Sequence, residues 1–510
     1  MSSEGNKSYG QILKSSALVG GSTIMINVFG IFRAKGLALL LGPQGFGLLG
    51  LYSPVVDMTR TIAGLGINTS GVRQIAEAVG TGDEERIATT VLTLRRVAFV
   101  SGAMGAVLLL LLCQPVSWLT FGDFKQSGAV ALLALAAFFG DVSAGQGALI
   151  QGMRRIADLA RMNVLGALYG TVFSLAIVYF LRDDRGVVLS IVCVAGMSIL
   201  TSWWYARKIK VKNIRITLRQ VMDEAAGLLK LGVVFMASSL MTLGANYLIC
   251  ITIRRQLSKE AVGFYLAAYA WGGQYVGIIL QAMGADFFPR LTAVAKDNVE
   301  ANRLVNEQAE VGLLMAGPGI LATLSLAPVV IVLFYSKKFG PAAEILRWIC
   351  LGMMLRVVVW PMGFIVLAKG ARKVFFWTEL LTSAGYVGLV WGGLKVFGLT
   401  GTGIAFFVWN ALSSIVVYLI VRRMSGFRWS AANRRLALLF LPLVAVVFAC
   451  WRLVNPIPAA IIGLAVCVPA GFFSLKTLCR LVPFDRLPRA AQKIVRLLRL
   501  APQQHSSDAG

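Results

Sequence analysis

Long, nearly uncharged apolar stretches follow one another along almost the whole of this chain, and nothing else limits its fold as severely. A helix rises 1.5 Å per residue, so about 20 apolar residues cross a hydrocarbon core of about 30 Å. In lipid such a segment must satisfy its own backbone hydrogen bonds, which it does by becoming a helix. The runs lie near residues 12–41, 46–72, 93–115, 126–150, 160–181 and 187–205, then near 226–253, 261–289, 307–335, 342–367, 374–396 and 401–421. A shorter pair follows near 435–453 and 457–478. The expected fold class is all-α, a polytopic membrane protein with about fourteen transmembrane helices. The first run, entered from the polar MSSEGNKSYG, exceeds the apolar length of about 7–15 residues found in a cleavable signal, so the first helix is expected to stay.

Charge sets the orientation. The chain carries a net +26, and roughly two-thirds of its 49 Lys and Arg fall on connectors of one side, which marks that side as cytoplasmic. An even number of spans then puts both termini in the cytoplasm, with the protein in a bacterial inner membrane. The densest clusters are Arg207, Lys208, Lys210, Lys212, Arg215 and Arg219, then Arg422, Arg423, Arg428, Arg434 and Arg435, and the C-terminal tail. In that tail Arg486, Arg489, Lys493 and Arg496 recur at helical spacing, which suits a helix on anionic lipid and equally an ordinary positive-inside anchor. The outer connectors are short, leaving little room for an extracytoplasmic catalytic domain. The only histidine is His505, in the polar tail, and the seven cysteines form no C-x-x-C pair. Histidine triads, histidine metal sites and a disulfide frame are excluded by inventory, and no cofactor, metal or nucleic acid is expected.

The chain also repeats itself at an offset of 216 residues: Ile12-Leu13-Lys14 recurs as Leu228-Leu229-Lys230, Ser22 and Met25 as Ser238 and Met241, and Leu41 with Gly47 as Leu257 with Gly263. A duplication of six helices gives halves of the same orientation, related by an axis along the membrane normal, with a cavity between them. The expected organisation is a lobe over 1–224, a second lobe over 225–433, a transmembrane hairpin over 434–480 and a basic cytoplasmic tail over 481–510.

Charges inside apolar runs are the candidate functional residues. A cation near the bilayer centre costs roughly 2.5–3.5 kcal/mol on insertion scales, so Arg33 and Lys35 either face a wet cavity or a partner, or snorkel to the outer headgroups. Asp57 and Arg60 stand three apart on one helical face, as a self-neutralising pair or as an arginine offered to a substrate anion and held by its acid. Arg356 is central in its run and has no local acid. Asp141 lies among Gly140, Ser143, Ala144 and Gly145, where it could couple transport to protons or sodium or pair with one of the arginines. Asp286 and Glu379 sit nearer cytoplasmic ends, where solvation explains them equally well. Several interior cations with few compensating acids describe a cavity for an anion. A polyprenyl pyrophosphate sugar lipid fits, since arginine grips phosphate bidentately and a portal lets the tail stay in lipid.

From Lys14 to Gly50 the chain has a leading Ser-rich helix, Arg33 and Lys35, then LALLLGPQGFGLLG, and from Gly66 to Val72 it reads G-x-N-x-S-G-V. These segments resemble the polysaccharide flippases of the multidrug/oligosaccharidyl-lipid/polysaccharide exporter superfamily, above all bacterial O-antigen translocases of the Wzx type. The resemblance implies two six-helix lobes that open alternately to each side, and an undecaprenyl-pyrophosphate-linked oligosaccharide as cargo, with polysaccharide polymerase and chain-length machinery as further partners. Relatives that flip the peptidoglycan precursor carry cavity arginines in the first two helices, which Arg33 and Arg60 match by position. They also carry an acid next to an arginine in the eighth helix, whereas here Asp286 and Arg290 are four apart. The competing functions are a peptidoglycan-precursor flippase, a cation-coupled multidrug antiporter, whose cavity would be acid-rich, and a membrane polymerase or glycosyltransferase. For the last, the only outer acidic pair is Asp183-Asp184, between Arg182 and Arg185.

Overall fold

The computed structural model describes residues 2–212, 214, 236 and 239–481, apart from some side chains. Every extended element among them is helical. In order they are α1 (Ser2–Gly64), α2 (Ile67–Thr81), α3 (Glu84–Leu111), α4 (Cys113–Phe121), α5 (Ser127–Gly152), α6 (Ile156–Phe180) and α7 (Asp184–Ala206). After them come α8 (239–256), α9 (Lys259–Ala293), α10 (Asn298–Ser325), α11 (Ala327–Phe334) and α12 (Ala342–Ala368). The last are α13 (Arg372–Phe397), α14 (Gly401–Ser425), α15 (Ala431–Leu453) and α16 (Pro456–Leu481). Nine helical stretches among the described residues are long and apolar enough to cross a membrane, or ten if α10 and α11, bent by 84°, form one span. The protein is thus an all-helical polytopic membrane protein.

The runs expected at 12–41 and 46–72 are two helical stretches of α1 that meet at a kink without a loop between them. Gly42 takes a φ of 66° that side chains rarely adopt, and Pro43 has no amide hydrogen to give, so the helix breaks there and resumes at once. It stops at Gly64, short of residue 72, because Leu65 and Gly66 both turn to positive φ. The following α2 is a separate short helix lying over the ends of its neighbours: Ile67 and Ile75 share a buried cluster with Leu94 of α3, Leu149 of α5 and Tyr205 at the end of α7. Side-chain caps start several helices. Asp83 accepts from the Glu85 and Arg86 amides, Asp183 from Gly186 and Asp297 from Val299 and Glu300, each satisfying orphan donors of a first turn.

The described chain forms two compact units, Met1–Leu266 with Val332–Phe339, and Ala267–Ile331 with Gly340–Gly510. In the first, α3, α5, α6 and α7 pack side by side with α1 across them. Small residues allow the approach. A methyl group on Gly145 would run into Ala98, and one on Gly105 would stand 2.7 Å from the Ala63 methyl. At one point α1 crosses α9 backbone to backbone: a Cβ on Gly47 would collide with the Lys259 carbonyl, and one on Gly263 with the Pro43 carbonyl. Gly47 and Gly263, and likewise Pro43 and Lys259, are separated by the offset of the sequence repeat.

In the second unit α12 packs on α10 and α14, and the α15–α16 hairpin lies against α10. Asn302 and Asn306 of α10 fasten the hairpin's start. Asn302 Nδ2 donates to the Ser425 carbonyl and Ser425 Oγ donates to Asn302 Oδ1, both at 2.8 Å. Asn306 Oδ1 accepts from the Ser430 amide at 2.8 Å and from Asn433 Nδ2 at 3.0 Å.

Candidate functional site

Two helices of the first unit bring one arginine and two carboxylates together. Arg60, on the penultimate turn of α1, has its Nε 3.5 Å from Asp141 Oδ1 of α5. Its Nη1 is 4.0 Å from Asp57 Oδ1 on its own helix, and its Nη2 donates to the Gly140 carbonyl at 3.1 Å. The guanidinium lies over Gly140 so closely that a Cβ there would stand 2.5 Å from Nε. A Cβ on Gly64 would stand 3.6 Å from Asp141 Oδ1, an ordinary contact, and one on Gly102 of α3 would stand 3.4 Å from the Asp141 Cβ. Of the small residues noted around Asp141, Gly140 is the one that lets an arginine from another helix reach it, while Gly145 packs on Ala98.

Burial is graded across the cluster. The Asp141 side chain is 6% exposed, that of Arg60 32% and that of Asp57 50%. Two valences inside are unused: Arg60 Nε and Asp141 Oδ2 are buried and have no hydrogen-bond partner among the described residues. With two carboxylates and one guanidinium, the cluster has one acid in excess. Such a group can hold a proton or a small cation and release it, while Arg60 is already engaged by the protein's own acids.

The other predicted residues are placed differently. Arg33 is half-buried in α1 and has no hydrogen bond or ion pair among the described residues. Lys35 donates from Nζ to the Leu333 carbonyl near the end of α11, so it has a partner of its own. Arg356 is exposed midway along α12 with no partner among the described residues, and Glu379 is half-buried in α13, also without one. The side chain of Asp286 lies outside the described residues, as do Arg215, Arg219, the repeat positions 228–230 and 238, and the tail beyond 481. The acidic pair considered for an enzyme is engaged structurally. Asp183 caps α7, and Asp184 binds Lys259 Nζ at 3.3 Å.

Sequence reading missed two groups. Asn302 and Asn306 are one turn apart on α10, a spacing visible in the sequence whose partners, over 120 residues away, are not. Arg95, on α3, donates to the Ala206 carbonyl at 3.1 Å beside Arg207, which stacks on Trp204 at 3.7 Å.

Residues 37–344 match the family model described as polysaccharide biosynthesis protein. The chain is similar to the lipid III flippase of Escherichia coli (strain K12), with 23% identity over 380 residues, 72% of this chain and 88% of that one. A Shigella flexneri protein of the same name matches equally. Among solved structures, the lipid II flippase MurJ in an inward closed conformation superposes with a TM-score of 0.67 at 13% identity, covering 90% of this chain and 98% of its own. An inward-facing multidrug resistance MATE family transporter of the MOP superfamily gives 0.65 at 18% identity, covering 78% and 94%. These likenesses show a fold shared with MOP superfamily transporters.

Proposed function

Because the chain belongs to the polysaccharide biosynthesis protein family, we propose that it is a flippase for a lipid-linked oligosaccharide, an undecaprenyl-pyrophosphate O-antigen or exopolysaccharide repeat unit carried from the cytoplasmic to the periplasmic leaflet of the inner membrane. In this reading about fourteen helices span the bilayer, both termini are cytoplasmic, and transport proceeds by alternating access rather than by covalent chemistry. The observation that carries it is the pair of intramembrane arginines, Arg33 and Arg356, that no described acid neutralises. An unpaired guanidinium in a span costs a few kcal/mol and is retained where a ligand repays it. Each guanidinium offers a phosphoryl group two parallel donors. The lipid III and lipid II named for the similar flippases support the same chemical class.

Arg60 takes a separate role. Held between Asp57 and Asp141, it serves a coupling site, where uptake of a proton or sodium ion by the surplus carboxylate loosens the Arg60–Asp141 contact between α1 and α5. The same surplus favours one second reading, a cation-coupled multidrug antiporter of the same fold. Deleting the gene and extracting undecaprenyl-linked saccharides separates the two. Complete repeat units accumulating on the cytoplasmic leaflet support the flippase, and normal surface glycans with altered drug sensitivity refute it in favour of the antiporter.

A further inference from the structure

A cavity of about 240 Å³ opens between α3, α5 and α7 of the first unit. Each helix gives it three residues, one polar, one small and one larger and apolar: Arg95, Ala98 and Phe99 from α3, Gln146, Gly145 and Val142 from α5, and Ala206 and Trp203 from α7 with Arg207 at its cap. Leu94, Leu149 and Ala206 share one buried cluster, so the start of α3 and the ends of α5 and α7 lie at one level. Because α3 runs away from that level and the other two toward it, the polar trio stands together and the apolar trio one turn further along. No carboxylate is among the lining residues.

The donors are arranged and not used up. Arg95 spends one Nη2 hydrogen on the Ala206 carbonyl at the end of α7, which fixes its fork. Arg207 is steadied by the Trp203 and Trp204 rings at 5.1 and 3.7 Å. Gln146 accepts from Ser202 through Oε1 at 2.5 Å, leaving its amide nitrogen to donate. Beside these, Phe99 and Trp203 are more than half exposed. We propose that this cavity binds an anionic phospholipid, its phosphodiester between Arg95, Gln146 and Arg207 and its acyl chains along Phe99, Val142 and Trp203. Two cations and an amide donor with no acid match a phosphodiester, and the turn of exposed aromatic surface below them matches chains rather than a free ion. The site is independent of the cargo and of the Arg60 cluster.

The test uses the full-length protein in neutral detergent, titrated with phosphatidylglycerol, phosphatidylcholine or inorganic phosphate. Retained lipid is read by native mass spectrometry and stability by thermal unfolding. Phosphatidylglycerol should bind about tenfold tighter than phosphatidylcholine, R207Q should lose about that factor, and R207K should keep part of it. R207Q leaves the Arg95–Ala206 bond in place, so folding is preserved, and W203A provides a second variant that weakens chain binding without touching charge. Equal binding of the two lipids, or undiminished selectivity in R207Q, overturns the proposal. Inorganic phosphate reproducing the whole stabilisation also overturns it, in favour of a free-anion site.

Discussion

Replacing Arg60 with Gln strands Asp141, and the size of that loss can be worked out. At 3.5 Å and an effective dielectric of about 20, the Arg60–Asp141 attraction is about 5 kcal/mol before desolvation. Removing one partner of a fully buried pair costs about 3–5 kcal/mol. With Arg60 one-third exposed, water recovers part of that, so we expect about 2–3 kcal/mol. Asp141→Asn should cost less, because Asp57 still faces the guanidinium and the amide keeps the shape. R60Q/D141N should then be more stable than R60Q, since the stranded charge is gone. Unfolding temperatures in detergent, read by tryptophan fluorescence, give the order wild type, D141N, double variant, R60Q. A double variant less stable than R60Q, with losses that simply add, would refute the ion pair as the tie between α1 and α5.

Arg33→Gln and Arg356→Gln should each lower export of surface glycan at least about tenfold while the protein still inserts, as measured by glycan staining and membrane fractionation, with Lys retaining more at whichever site acts as a point charge. Gly47→Ala should cost about 1–3 kcal/mol or more, because the new methyl meets the Lys259 backbone, which cannot rotate away, and the effect should show as loss of the monodisperse peak on gel filtration. Asn306→Ala removes the acceptor of the Ser430 amide and of Asn433, and should cost about 1–3 kcal/mol while exposing the 426–430 link to limited proteolysis.

Much of the fold was legible because lipid demands long apolar runs and leaves them few shapes. The runs near 126–150, 160–181 and 187–205 are α5, α6 and α7 to within a few residues. The break between the first two runs was visible as Gly42-Pro43, but only the structure shows that one residue suffices for it and that the helix resumes without a loop. At the candidate site, the three-residue spacing of Asp57 and Arg60 disclosed their shared face, since helical periodicity is local. The link from Arg60 to Asp141 and Gly140 spans 80 residues and is fixed by helix packing, which no periodicity encodes. The same limit hid the Lys35–Leu333 bond and the asparagine clamp, whose partners are 298 and more than 120 residues away.

The crossing of α1 and α9 has one more consequence. Gly47 rests on Lys259 while Gly263 rests on Pro43, so the contact is reciprocal in the way a surface is when it meets a copy of itself about a two-fold axis. Each of the two glycines faces backbone of the other helix, so a larger side chain at either position meets atoms that cannot turn aside.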